Sequence, residues 1–285
     1  LGVCAAGGQR LVVAWLVDSG WVVAWEESGG SDRGEVLVGV FGQEPYRTRF
    51  DWGPSGADEI AAGAGFVVVV DVLSFTTTLS VAVEHGIAVM PYPWRDASAV
   101  TAAEQHDAEL AVARKTAGPD EISLSPAALR RVASQRRIER LVLPSPNGSA
   151  ISARFASAGA TVVGACLRNA KAVGRWVREQ SRGQTVAVVA AGERWPDGGL
   201  RPAVEDLWGA GAFLDGFDGL SPEAEAAVAV YRAVAGRIPE ALAGSASGRE
   251  LTGGGYAEEL AIASEVDSAD AVPVLRDGWY RAVRS

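Results

Sequence analysis

The stretch VVVVDVLSFTTT, residues 67–78, sets a carboxylate and a run of hydroxyls directly behind four β-branched apolar residues. Such a run, with no polar alternation, suits a strand buried on both faces. Asp71 then marks the strand's end, and Thr76, Thr77 and Thr78 crowd the turn into a helix closed by Gly86. A single threonine there is all that an N-cap requires; three behind a strand-ending aspartate exceed it. Three more junctions have the same character. PSPNGSA brings Ser145, Asn147, Gly148 and Ser149 after RLVL, and CLRNAKAV brings Arg168 and Asn169 after TVVGA. GERWPDGGLRPAVEDLWGAGA brings Glu193, Arg194, Arg201, Glu205 and Asp206 after TVAVVAA.

Each group has an ordinary explanation on its own. Asn147-Gly148 is a turn, Asn169 a cap, an Arg–Glu pair a surface salt bridge, and Glu205-Asp206 the acids favoured in a helix's first turn. Together they suit a phosphate or another oxyanion. Pro-Asn-Gly-Ser at a helix start offers N–H groups backed by the helix dipole, and Arg168, Arg194 and Arg201 supply charge. Asp71, Glu193, Glu205 and Asp206 suit Mg²⁺, a hard ion satisfied by one or two carboxylates plus waters and substrate oxygens. A metal between phosphate and water would stabilise developing charge and orient the nucleophile.

Those residues act together only if the strands that carry them are parallel, since ligands of such sheets bind at the carboxyl ends of the strands. From about Arg49 strand-like and helix-like segments alternate. Strands are predicted at 66–70, 87–90, 109–113, 138–143, 160–165, 185–190 and 271–275. Helices are predicted at 77–85, 97–106, 126–135, 149–158, 170–180, 203–214, 222–235 and 256–264. Ser125-Pro126 and Ser221-Pro222 each place serine at an N-cap and proline in the first turn. This alternation predicts a three-layer α/β/α fold with a largely parallel or mixed sheet. Residues 1–45 read differently: RLVVAWLV and WVVAWEE flank DSG as a β-hairpin would, and ESGGSDRG after them reads as flexible. The chain therefore divides into an N-terminal extension, 1–45, with no function assigned to it, and a main domain, 46–285.

Composition narrows the chemistry. A net charge of -9 over 285 residues argues against nucleic acid as a partner. Lys115 and Lys171 are the only lysines, so an anion must be held by arginine, backbone N–H groups or a metal ion. His85 and His106 are the only histidines, which removes Ser-His-Asp catalysis and His-rich zinc sites. Cys4 and Cys166 form no spacing motif and suggest a reduced compartment. Neither Walker nor Rossmann glycine patterns follow a strand. No apolar stretch is long enough to span a membrane. No signal-peptide pattern opens the chain, so the cytoplasm is the default expectation.

With these motifs in hand, the chain resembles the 2-phosphosulpholactate phosphatase (ComB) family from about Arg49 onward. VVVVDVLSFTTT is similar to that family's strand followed by D-V-L-R-A-[ST]-T-T, SLSPAAL to its N-S-P segment, and PSPNGSAI to its N-G-[ST] loop. CLRNAKAV is similar to its N-A-x-A-V helix start, and AAGERWPDGGLRPAVEDLWGAGA to its C-A-G and E-D-x-x-x-A-G stretch. SASGRELTGGGYAEELAIASEVDSADAVPVL follows its S-x-x-G-R-x-L and D-x-x-x-x-V-P-x-L ending. The resemblance implies a ComB-like α/β fold, Mg²⁺ dependence, and hydrolysis of (R)-2-phospho-3-sulpholactate to 3-sulpholactate and phosphate, a step toward coenzyme M. On this basis Asp71, Asp206 and Glu205 are the expected catalytic carboxylates, and Asp71, Glu193 and Asp206 the expected metal ligands. The expected substrate-binding residues are Thr76, Thr77, Thr78, Ser145, Asn147, Gly148, Ser149, Arg168, Asn169, Arg194 and Arg249. The implied partner is a small phosphorylated acid, and a homo-oligomer is compatible with it. Three departures stand out: Ser74 where the family commonly has arginine, Ala113 in ARK where it has the acid of G-E-R, and Ala190 where it has cysteine. They leave two functions open, a phosphatase for a small acidic phosphoester and a phospho-ligand binder without catalysis.

Overall fold

The computed structural model describes residues 5–6, 9–17, 20–26, 40–93, 96–118 and 120–283. It separates into two compact units, Leu1–Pro45 and Tyr46–Ser285. In the first, β1 (Ala5–Ala6), β2 (Gln9–Val17) and β3 (Gly20–Glu26) form an antiparallel sheet, with β2 and β3 as a hairpin. Cys4 and the ESGGSDRG segment lie outside the described residues.

In the second unit the strands are β4 (Thr48–Trp52), β5 (Phe66–Val70), β6 (Ala88–Tyr92), β7 (Glu109–Leu110), β8 (Arg140–Pro144), β9 (Thr161–Ala165) and β10 (Val186–Ala190). They continue with β11 (Glu193–Arg194), β12 (Leu200–Arg201), β13 (Val272–Arg276) and β14 (Trp279–Val283). The helices are α1 (Gly53–Ile60), α2 (Phe75–Glu84), α3 (Ala97–Gln105), α4 (Pro126–Gln135), α5 (Gly148–Phe155) and α6 (Ala170–Ser181). After them come α7 (Val204–Leu214), α8 (Pro222–Arg232), α9 (Ile238–Gly244), α10 (Ala246–Gly253) and α11 (Ala257–Ala263). A nine-stranded sheet in the order β4-β10-β5-β9-β13-β14-β6-β8-β7 forms the middle layer, and β11 and β12 make a separate short hairpin. The sheet is mixed. Strands β4, β10, β5 and β9 are mutually parallel, as are β6, β8 and β7, while the antiparallel pair β13–β14 sits between the two blocks.

The valine run explains itself here. Val67 and Val69 pack into one core with Ile60, Leu79, Leu129 and Ile151 from α1, α2, α4 and α5. Val68 and Val70 pack into the other with Trp176, Phe213 and Val228 from α6, α7 and α8. Every position of β5 is buried, each valine contributing about 1.5–3 kcal/mol. Asp71 therefore leaves a strand clamped on both faces.

Several segments differ from the sequence expectation: β4, α1 and the β11–β12 pair were not predicted, and the strand expected at 109–113 is only Glu109–Leu110. The helix predicted at 222–235 ends at Arg232, and a separate helix α9 starts with Pro239 in its first turn, where proline's fixed φ is at home. Helix α10 was not predicted; its N-cap is Ser245, whose hydroxyl accepts from the Gly248 N–H at 2.9 Å. Strand β14 was also not predicted, although Asp277-Gly278, both at positive φ, form the two-residue turn that joins it to β13.

Candidate active site

The polar junctions meet through backbone hydrogen bonds. The Asp71 carboxylate accepts from the Phe75 N–H at 3.1 Å through Oδ1 and from the Gly148 N–H at 2.9 Å through Oδ2. Phe75 starts α2 and Gly148 starts α5, so two helix N-termini converge on one buried anion. Four strands stand between β5 and β8 in the sheet order. Three antiparallel pairings among them make β8 run opposite to β5, β9 and β10, so the expectation that all four junctions leave parallel strands does not hold for the Ser145–Ser149 junction. The Gly148 N–H nonetheless reaches Asp71.

Only glycine fits at 148. A Cβ there would lie 2.4 Å from Cδ1 of Phe75 and 2.7 Å from Oδ2 of Asp71. Gly148→Ala is expected to destabilise the protein by about 1–3 kcal/mol, the usual cost of overpacking a tight site, and to displace the Asp71 carboxylate. Denaturant unfolding and turnover of the variant check this; wild-type stability would contradict the packing described.

Asp206, in the first turn of α7, binds the exits of β5 and β10. Its Oδ1 accepts from the Val72 N–H at 2.7 Å, and its Oδ2 from the Gly192 N–H at 2.9 Å. Glu193, on β11, accepts from Asn147 Nδ2 at 3.0 Å through Oε2. Burial pushes the Asp71 carboxyl up to about 6, with the charge of Glu205 adding to the rise and its N–H donors and Arg114 opposing it. Burial and the charge of Asp71 push Glu193 up to about 7. Asp206 is raised well above the usual carboxylate range by burial, then by Asp71 and Glu205. Asp71 from the exit of β5 and the acids that follow β10 thus act on one another in a buried setting.

The remaining sequence candidates divide. Thr76 donates to the Asp71 carbonyl and accepts from the Asp71 N–H, and Thr77 donates to the Val72 carbonyl. Thr78 is buried with its hydroxyl unpartnered. Ser149 donates to the Leu143 carbonyl, and the Ser145 hydroxyl accepts weakly from the Asn147 N–H. These hydroxyls hold the strand-exit loops rather than facing an open cleft, because the backbone groups freed at each strand end need partners. Asn169 is fully buried and closes the exit of β9 through Cys166 N–H and the Gly164 carbonyl. Arg168 is buried in an ion-pair network with Glu84 and Glu265. Arg249 is exposed on α10, and Arg194 is exposed and donates to the Gly198 carbonyl.

Cys166 is fully buried, and burial raises its thiol pKa. A thiol in that state is a packing group, not a nucleophile. Cys166→Ser is expected to leave turnover nearly unchanged; collapse of turnover in the folded variant would point to covalent chemistry instead.

A cavity of about 400 Å³ opens beside this cluster, with Glu193 in its wall. Asp71 and Asp206 do not line it and are 6% and 3% exposed. Its lining also includes Arg114, Lys115 and Tyr256, with Ser247 and Glu250 from α10. The sequence did not single these residues out. ARK at 113–115 held the signal, because Lys115 is one of only two lysines. Glu259, which pairs with Arg114 at 2.7 Å, looks in sequence like any acid in a helix's first turn. Arg114 Nη2 also donates to the Ser74 hydroxyl at 3.1 Å. An arginine from the loop after β7 thus reaches the position where Ser74 replaces the expected one.

Among the described residues, no three His, Cys, Asp or Glu side chains form a preassembled metal-binding group. Asp71, Glu193 and Asp206 are therefore not a finished three-ligand cage. The donor set still suits Mg²⁺, which takes one or two carboxylates and completes its shell with waters and phosphate oxygens. Asp71 and Asp206 meet no Lys or Arg within ion-pair distance among the described residues. Buried carboxylates without a cation are costly.

A family model for 2-phosphosulpholactate phosphatase matches residues 55–278, most of the chain. No curated protein matches the chain at a significant level. Among the described residues, no helix is long and apolar enough to cross a membrane.

Proposed function

Because the chain belongs to the 2-phosphosulpholactate phosphatase family, we propose that it is a Mg²⁺-dependent phosphoric monoester hydrolase for a small acidic phosphoester. By family, that ester is (R)-2-phospho-3-sulpholactate, cleaved to 3-sulpholactate and phosphate. The observation that carries this proposal is the assembly of Asp71, from the exit of β5, with Glu193, Glu205 and Asp206, which follow β10, with burial and mutual repulsion raising three of the four. Glu193, which faces the cavity, and Asp71 would hold the ion. When bound, Mg²⁺ would neutralise this field and stabilise charge developing on the phosphoryl oxygens.

The chain's own residues do the rest. The N–H groups of Phe75 and Gly148 fix Asp71, and those of Val72 and Gly192 fix Asp206. Such preorganised groups need no rearrangement during reaction. A water would attack phosphorus as the P–O bond to the alcohol breaks, and Glu205 or Asp206, the expected catalytic carboxylates that do not hold the ion, would take its proton and pass one to the leaving alcohol oxygen. Asn147 orients Glu193. Phosphate release from 2-phosphoglycolate and p-nitrophenyl phosphate in Mg²⁺ tests the proposal. Tight binding of such esters without phosphate release would favour a non-catalytic phospho-ligand binder.

The raised pKa values also fix a pH dependence. Asp71 rises from 3.8 to about 6 and Glu193 from 4.5 to about 7. The folded protein therefore holds protons there that the unfolded chain has already lost. Their contribution to stability is full below the unfolded values and disappears as pH rises through the folded ones. Mg²⁺ binds the ionised carboxylates, so it should raise the melting temperature more at about pH 8 than at about pH 5.5. Melting curves in EDTA and in Mg²⁺ at both pH values check this, and equal shifts would contradict it.

A further inference from the structure

The cavity that Glu193 lines has two cationic groups in its lining, neither used by the chemistry above. Arg114 is fixed along one edge. Its Nη2 donates to Glu259 Oε2 at 2.7 Å, to the Leu124 carbonyl at 2.5 Å and to the Ser74 hydroxyl at 3.1 Å. Its guanidinium carbon lies 5.3 Å from the centre of the Tyr256 ring. Glu259 is fully buried and itself accepts from Ser74 at 3.3 Å, so the anchor is rigid. Nε is enclosed without a partner. Nη1 has no hydrogen-bond partner among the described residues and belongs to a side chain 23% exposed in the cavity wall. Lys115, the next residue, is exposed in the same wall and forms no ion pair among the described residues.

The acids of the cavity set the orientation. Glu193 and Glu250 repel an anion placed beside them, and Arg114 and Lys115 are the cationic groups of the lining, so an unscreened acid group is favoured beside those two. A planar guanidinium with free N–H groups matches a carboxylate or sulphonate, and a neighbouring ammonium adds charge.

We propose that Arg114 and Lys115 form the subsite for a second acidic group of the ligand, and that Arg114, held by Glu259 and Ser74, sets specificity for phosphorylated acids over simple phosphoesters. The phosphate end of this assignment rests on the phosphatase proposal above; the acid end rests on the cavity alone.

The test separates the two. Titration calorimetry in Mg²⁺ compares 3-phosphonopropionate with propylphosphonate, which differ only in carboxylate against methyl and cannot be hydrolysed. Wild-type protein should bind the acid at least about tenfold tighter, the scale of one charge-assisted hydrogen bond. Lys115→Gln, an exposed change that leaves the core untouched, should reduce that ratio. Arg114→Gln combined with Glu259→Gln, which leaves no unpaired buried charge, should bring it close to one. A wild-type ratio near one, no binding of either compound, or a ratio unchanged in both variants would overturn the subsite. Phosphate release continuing alongside such a result would leave the phosphatase proposal standing. Its absence alongside the expected ratios would remove that proposal and keep the subsite.

Discussion

Excess EDTA is expected to abolish phosphate release by this protein, and added Mg²⁺ to restore it. The reason is electrostatic. Asp71, Glu193, Glu205 and Asp206 crowd one end of the sheet, and each raised group owes part of its shift to another acid of the set. A phosphoester dianion brought to that end meets like charge in a buried, weakly screened setting. Arg114 is partly neutralised by Glu259, and no cation pairs with Asp71 or Asp206 among the described residues. A divalent ion reverses the sign of the field where the phosphate must sit. Phosphate release measured in EDTA, then after Mg²⁺ is returned, checks this. Full turnover in excess EDTA would leave arginine and backbone N–H groups to do the work, and the carboxylate cluster would need another role.

Replacing Asp71 with asparagine should lower kcat by on the order of 10²-fold or more, the scale expected when an electrostatic catalytic element is removed. Asparagine keeps the size of the side chain but loses its charge and one of its two acceptors. One of the two N–H groups now bound, Phe75 or Gly148, would then face an NH₂ group. The variant would lose charge at the proposed metal site, while the strand beneath it stays clamped by both cores. Folding is checked by its melting curve and activity by steady-state phosphate release. A folded Asp71→Asn with wild-type kcat would remove Asp71 from the chemistry.

Much of this architecture was legible because periodicity records burial. Val67–Val70 read as a strand buried on both faces, and the structure divides them alternately between two cores. The serine caps of α4 and α8 were equally plain, since Ser125 and Ser221 each accept from the third residue onward. Asp277-Gly278 was a readable turn signal that was not used, and β14 was missed with it. Chain connectivity was harder. No local pattern says that an antiparallel hairpin separates the two parallel blocks, or that Gly148 meets Asp71 across four intervening strands. Such contacts depend on sheet order, which residue type does not encode locally.

The site shows the same divide. Asp71, Asn147, Glu193 and Asp206 stood out because polar residues directly after apolar strands are unusual, and hydrogen bonds tie these junctions together. The threonines stood out equally but serve the loop backbone. Residue type alone does not distinguish a hydroxyl facing a ligand from one facing a carbonyl. Arg168 looked like a ligand-binding arginine and lies instead in a buried network with Glu84 and Glu265. Arg114 follows the strand predicted at 109–113 without the hydroxyls and carboxylates of the other exits, and its position depends on Glu259, 145 residues further along the chain.

The most direct measurement is the anomalous signal of Mn²⁺, used in place of Mg²⁺, in crystals of the protein with a non-hydrolysable phosphonate. A single strong peak is expected within coordination distance of the Glu193 or Asp71 carboxylate, with phosphonate oxygens completing its shell. A peak elsewhere, or none in crystals of protein that releases phosphate, would contradict the assignment of this cluster as the metal-assisted phosphatase site.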